Sequence, residues 1–172
     1  TRLTGKQFKN PVIVTNSDYR FIVTEQLQEI GIDPGAILIE PEGRNTAPAI
    51  LAAALFEYQI NPDAILVVAP SDHIINDVNA FQLAIDEAYK VAQDGQLVTF
   101  GIKPTHPETG FGYLELSKIS TAQAVPLKAF VEKPDLTNAK KMFQSENFLW
   151  NSGIFLFQAR DIIEAFKKYS PS

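Results

Sequence analysis

The sequence predicts an α/β fold: a mostly parallel sheet with helices on both faces, followed by a smaller antiparallel part. Three observations carry this. Short β-branched runs alternate with helix-periodic stretches through residues 11–100. One run, Ala64-Ile65-Leu66-Val67-Val68-Ala69, is apolar without alternation, as expected for a strand covered on both faces. Beyond Gly101 the runs become closely spaced and are joined by polar loops.

The elements follow in order. Pro11-Val12-Ile13-Val14 is a first strand. Residues 18–30 read as a helix, with Phe21, Ile22, Leu27 and Ile30 on or near one face and Gly31 stopping it. Residues 36–39 form a strand and 46–60 an Ala- and Leu-rich helix. The strand 64–69 leads to a helix over 78–93, punctuated by Gly95, and then to a strand at 97–100. This order predicts that 12–15, 36–39, 64–69 and 97–100 are parallel neighbours in one sheet. Residues 113–116 and 125–131 predict an antiparallel pair. A helix at 136–144, a strand at 154–157 and a helix at 161–169 complete a single domain over residues 1–172. No repeat, low-complexity tract or linker interrupts it.

Composition narrows the function. The chain has 172 residues, 45% of them hydrophobic, enough for one real core. Its net charge is −5, with no Lys/Arg block, which argues against nucleic acid as a partner. A small phosphorylated ligand remains open, since it needs only a few local cations or backbone amides. The absence of cysteine excludes disulfides, thiolate metal sites and cysteine nucleophiles. No apolar stretch is long enough to span a membrane, and no signal peptide stands at the start, so the expected location is cytoplasmic.

The polar clusters fall at strand ends, where open α/β sheets bind ligands. Gly43-Arg44-Asn45-Thr46 follows the strand 36–39, and Asp72-His73 follows 64–69. Thr109-Gly110-Phe111-Gly112-Tyr113 follows a proline-marked loop, and Glu132-Lys133-Pro134 follows 125–131. Asp72, Asn45, Gly110 and Glu132 are therefore expected at one rim. Each cluster also has a plainer reading. Asp72 could cap a turn, Asn45 or Thr46 with Pro48 could only start a helix, and the glycines could serve a tight turn. Glu132-Lys133 could be an exposed charge pair, and Trp150-Asn151 core plus turn. The order of the set outweighs these.

Glu40-Pro41-Glu42-Gly43-Arg44-Asn45-Thr46-Ala47-Pro48, Pro70-Ser71-Asp72-His73-Ile74-Ile75 and Phe100-Gly101-Ile102-Lys103-Pro104-Thr105 resemble motifs of mannose-1-phosphate guanylyltransferases (GDP-mannose pyrophosphorylases). So do Pro107-Glu108-Thr109-Gly110-Phe111-Gly112-Tyr113, Phe130-Val131-Glu132-Lys133-Pro134 and Trp150-Asn151-Ser152-Gly153-Ile154-Phe155. The resemblance runs collinearly from about Val12 to Phe157 and is strongest to bacterial members, which often carry a mannose-6-phosphate isomerase domain further along.

The resemblance implies a Rossmann-like nucleotidyltransferase fold with an antiparallel sugar-binding part. It implies transfer of GMP from GTP to mannose 1-phosphate, giving GDP-mannose for polysaccharide biosynthesis. Asp72 would ligate Mg²⁺, and Arg44, Asn45, Thr46 and Pro48 would lie against the nucleotide. Gly110, Gly112, Glu132, Lys133 and Asn151 would hold the sugar phosphate, with Asp72 and Lys133 supporting catalysis. Phe111 stands where many relatives have Tyr, and Ser71 where Ala is commoner. The family's glycine-rich signature would precede the first strand and a second metal-binding carboxylate would follow the last helix. A domain incomplete at both ends, inactive as this chain alone, is therefore expected. Two alternatives stay open: a related sugar nucleotidyltransferase with another base or sugar, and a non-catalytic nucleotide-sugar-binding or regulatory module. A homo-oligomer is compatible with each.

Overall fold

A computed structural model of the chain describes residues 2–3, 5–43, 45–119 and 124–170. Its elements are β1 Val12–Asn16, α1 Arg20–Glu29, β2 Ala36–Glu40, α2 Thr46–Ile60, β3 Ile65–Val68, α3 Val78–Gln93, β4 Val98–Ile102, β5 Gly112–Leu116, β6 Leu127–Glu132, α4 Leu136–Gln144, β7 Phe148–Gln158 and α5 Ala159–Tyr169. They divide between two compact units. One comprises residues up to Ala64, Ile75–Gln82, and those from Gln158 on; the other comprises Ile65–Ile74 and Leu83–Phe157.

In the first unit β1 and β2 pair in parallel, from Val12↔Ala36 to Asn16↔Glu40. The crossover is α1, entered by a 3-10 turn that the Asn16 side chain caps by accepting from Asp18 N and Tyr19 N. It ends as the sequence predicts. Gly31 sits at φ 67°, and the amides of Gly31 and Ile32 close back onto Gln28 O and Leu27 O, a Schellman arrangement. The predicted apolar face of α1 is not covered: no residue of the helix is buried, and Phe21, Ile22 and Ile30 are exposed. Helix α2 is apolar nearly all round, and its small residues Ala53 and Ala54 are buried where it packs on α5. Ala159 and Ile163 supply the α5 side. The helix start of α5 is tied down by Ala159 N to Ala64 O (2.8 Å) and by Arg160 Nη1 to Asp63 Oδ1 (2.9 Å).

The second unit holds a five-stranded sheet in the order β3-β7-β5-β6, with β4 also on β7. The predicted β5–β6 pair is antiparallel, Gly112↔Glu132 through Leu116↔Leu127. The predicted row of four parallel neighbours is not formed. β1 and β2 make a sheet of their own, and β4 is antiparallel to β7. Periodicity marks the strands but not their partners. β7, expected only at 154–157, extends over 11 residues and can therefore pair with both β4 and β5. Its core is dense: Tyr113, Leu114, Leu156 and Phe157 are almost wholly inaccessible, and Ile85, Ala88 and Ala92 of α3 are buried. α4 starts at Asp135, whose carboxylate takes Asn138 N (2.8 Å), and lays Ala139 and Met142 against Tyr113 and Trp150.

Candidate active site

The sheet of the second unit brings Gly101, Asn151, Gly112 and Glu132 into one transverse row. Gly101 of β4 is registered opposite Asn151 of β7. Tyr113 of β5 faces Trp150 of β7, so continuing that register by one residue sets Asn151 level with Gly112. Gly112 in turn faces Glu132 of β6. Cross-strand neighbours share a face, so Asn151 and Glu132 are level across two strand spacings, about 9–10 Å of sheet. The position between them is a glycine. A Cβ on Gly112 would stand 2.8 Å from Glu132 Oε2 and 3.0 Å from Phe130 Cζ, so a larger residue would push those side chains aside. The row thus sets two hydrogen-bonding side chains either side of a glycine over which the Glu132 and Phe130 side chains fold.

Lys133 closes this arrangement. Its N–H donates to Phe111 O (3.2 Å), holding the turn of β5 to the end of β6. Its φ of 45° is one of only two positive values among the described non-glycine residues. Its ammonium lies 3.7 Å from Glu132 Oε1, but both side chains are exposed, so this pair leaves the charge largely available.

Behind the row lies support that motif reading missed. The Glu108 carboxylate accepts Gly110 N–H (2.8 Å), and Glu108 N–H donates to the buried Tyr113 hydroxyl (2.9 Å). The Gly110 amide first, and then His106, hold the Glu108 carboxyl below its ordinary value. The rings of His106 and Phe111 both stand edge-on to Trp150, with centroids 5.0 and 5.2 Å away. Thr99 Oγ1 reaches Asn151 Oδ1 (2.9 Å) from β4. A carboxylate two residues before a glycine is a local turn signal that could have identified Glu108. Thr99 carries no such signal, because its contact spans 52 positions.

Asp72 lies in the turn after β3, exposed, and its carboxylate has no hydrogen bond or ion pair among the described residues. A hard oxygen donor left open in this way fits Mg²⁺, which takes one or two carboxylates and completes its shell with phosphates and water. His73 is half-buried. Among the described residues no group of three acidic or imidazole side chains gathers around a common point.

Asn45, Thr46 and Pro48 belong to the first unit. Asn45 occupies the N-cap position of α2 but makes no side-chain cap bond, which removes the plain helix-start reading of its amide. Its backbone, φ 62° and ψ −173°, lies in a region populated almost only by glycine. Thr46 begins the helix, and Pro48 occupies its first turn, where a missing N–H costs nothing. All three are exposed. Arg44 lies outside the described residues.

The whole chain, residues 1–172, matches the family model described as "Nucleotidyl transferase". The chain belongs to this family. It is 50% identical over 162 residues to the xanthan biosynthesis protein XanB of Xanthomonas campestris pv. campestris (strain B100), covering 94% of this chain and 34% of that protein. It is 43% identical over 176 residues to a mannose-1-phosphate guanylyltransferase of Escherichia coli (strain K12), covering 99% of this chain and 37% of that one. Among solved structures it is similar to one titled mannose-6-phosphate isomerase from Helicobacter pylori, with a TM-score of 0.87 and 34% identity, covering 99% of this chain and 64% of that one. The chain thus spans about a third of the length of the two curated relatives it matches. None of its described helices is long and apolar enough to cross a membrane.

Proposed function

We propose that this chain carries the central part of a mannose-1-phosphate guanylyltransferase, which transfers GMP from GTP to mannose 1-phosphate. The observation that carries the reading is the row Asn151–Gly112–Glu132, with Lys133 at its end, in a chain 43% identical to a protein of that name. A sugar ring needs hydrogen-bonding side chains at its edges and close approach to the chain between them. A phosphate attached to that ring needs a cation, and Lys133 is a point charge on a flexible stem. The isomerase named for the Helicobacter structure shares a sugar phosphate with this reading but not the reaction. The match of the full chain length to a nucleotidyl transferase model favours group transfer.

In the reaction, a phosphate oxygen of mannose 1-phosphate attacks the α-phosphorus of GTP. The bond from that phosphorus to the bridging oxygen breaks, and pyrophosphate leaves. Two anions must meet, so positioning and charge neutralisation dominate. Glu132 and Asn151 hold sugar hydroxyls, Lys133 offsets the charge of the sugar phosphate, and the Gly110–Gly112 backbone bounds the ring. Asn45 and Thr46 supply donors and acceptors to the O6, N1 and N2 edge of guanine, with Arg44 beside them and Pro48 shaping the loop. Mg²⁺, when bound through Asp72, would neutralise phosphate charge as the new bond forms.

The test is kinetic, in the full-length protein supplied with GTP, mannose 1-phosphate and Mg²⁺, reading pyrophosphate release. Glu132→Gln and Asn151→Ala should raise KM for mannose 1-phosphate about 3- to 10-fold and leave KM for GTP unchanged, the loss expected of one hydrogen bond. Asn45→Ala should do the reverse, and Asp72→Asn should lower kcat while shifting its Mg²⁺ dependence. Equal effects on both substrates in all variants would remove the division into sugar side and base side. A preference for another nucleotide or sugar phosphate would move the chain to a related transferase, and no release at all would favour a binding module.

A further inference from the structure

Asn151 does not stand alone in the row. Thr99 Oγ1 lies 2.9 Å from Asn151 Oδ1 and 3.1 Å from Ile154 O. A hydroxyl has one proton, and both neighbours as assigned are acceptors, so only one contact can be a full hydrogen bond. The oxygen and nitrogen of an asparagine amide are distinguished by their surroundings, and turning this amide over satisfies both contacts. Asn151 Nδ2 then donates to Thr99 Oγ1, and the Thr99 hydroxyl donates to Ile154 O. The Ile154 carbonyl is a firm anchor, because the same residue's N–H is held by Ser152 Oγ (3.2 Å) within the buried part of β7.

The backbone shows how Thr99 reaches so far. The β4–β7 register pairs Thr99 with Phe155 and Gly101 with Asn151, and it shifts between Thr99 and Gly101. Such an irregularity re-aims a side chain along the strand. Here it brings the Thr99 hydroxyl to a residue that it does not face in the ladder.

We propose that Thr99 is a positioning and specificity-determining residue for the sugar: it accepts the Asn151 amide N–H, and so turns the Asn151 oxygen outward as an acceptor for a substrate hydroxyl. Asn151 Oδ1 and its second N–H then have no other protein partner among the described residues. The inference rests on the reading of Asn151 as a sugar-side residue. It adds that the row demands a hydroxyl donor at that point and that β4, not β7, enforces the demand.

The experiment uses the full-length protein and compares Thr99→Val, Thr99→Ser and Asn151→Ala. Thr99→Val keeps the shape and removes the hydroxyl. It should raise KM for mannose 1-phosphate about 3- to 10-fold, leave KM for GTP within 2-fold, and leave the melting temperature close to that of the unaltered protein. Thr99→Ser should restore the KM to within about 2-fold, because it restores the hydroxyl. Among the monodeoxyfluoro mannose 1-phosphates, whose fluorine cannot donate, one should cost the unaltered protein several-fold and cost Thr99→Val nothing further. The inference is overturned if Thr99→Val changes neither KM or both equally, if Thr99→Ser fails to rescue, or if every analogue penalises both proteins alike. If Asn151→Ala raises the KM for mannose 1-phosphate and Thr99→Val does not, only the positioning role falls. If Asn151→Ala and Glu132→Gln both leave it untouched, the sugar-side reading falls and takes this inference with it.

Discussion

On the proposed function, Asn45 sets stability against use in one residue. At φ 62° and ψ −173° it lies outside even the left-handed helical region that asparagine tolerates. Strain of this kind costs about 1–3 kcal/mol. Glycine would relieve it, offset by roughly 0.5–1 kcal/mol of extra chain entropy. Asn45→Gly should therefore stabilise the protein by about 1 kcal/mol, read as a higher denaturation midpoint, while raising KM for GTP. Lower stability in that variant would show that the backbone is not strained there. The helix start was legible in Asn45-Thr46 before an alanine-rich run with Pro48 in its first turn. The free amide and the strained backbone were not, because they depend on the path of the loop from β2.

At the scale of elements, β4 and β7 depend on each other through Gly101. A Cβ there would lie 2.4 Å from Leu149 Cδ1 and 2.8 Å from Leu149 Cβ. Leu149 is on a strand paired on both sides, so it cannot simply swing away. Gly101→Ala should destabilise by about 1–3 kcal/mol, as overpacking does. It should also weaken mannose 1-phosphate more than GTP, since Asn151 is opposite. Urea unfolding together with the two KM values checks this, and an alanine variant as stable as the parent would contradict the close approach. The residues 148–153 of β7 were not legible as strand, since Asn151-Ser152-Gly153 has the composition of a turn. Pairing on both edges overrides that composition, and Gly153 at φ 71° absorbs the irregularity.

At the scale of the molecule, protection is unevenly distributed. β5 and β7 carry the inaccessible side chains Tyr113, Leu114, Leu156 and Phe157, whereas α1 buries none. Hydrogen exchange should therefore be slowest along Gly112–Leu116 and the second half of β7, and fast along Arg20–Glu29. Equal protection of α1 and β7 would mean that burial does not govern opening here. The sequence alone determined where most strands and helices run, because a side-chain period of 2 or 3.6 residues is a local property. It also determined the chemistry available at their ends: Asp72, Glu132, Lys133 and Asn151 are polar residues placed just beyond or within apolar runs. Only the tertiary structure decided which strands are partners. It separated β1–β2 from the second sheet, turned β4 antiparallel to β7, and brought Gly101, Asn151, Gly112 and Glu132 level. Register is a long-range quantity, fixed by side chains that fit or clash across tens of positions, as Gly101 does against Leu149 and Thr99 against Asn151.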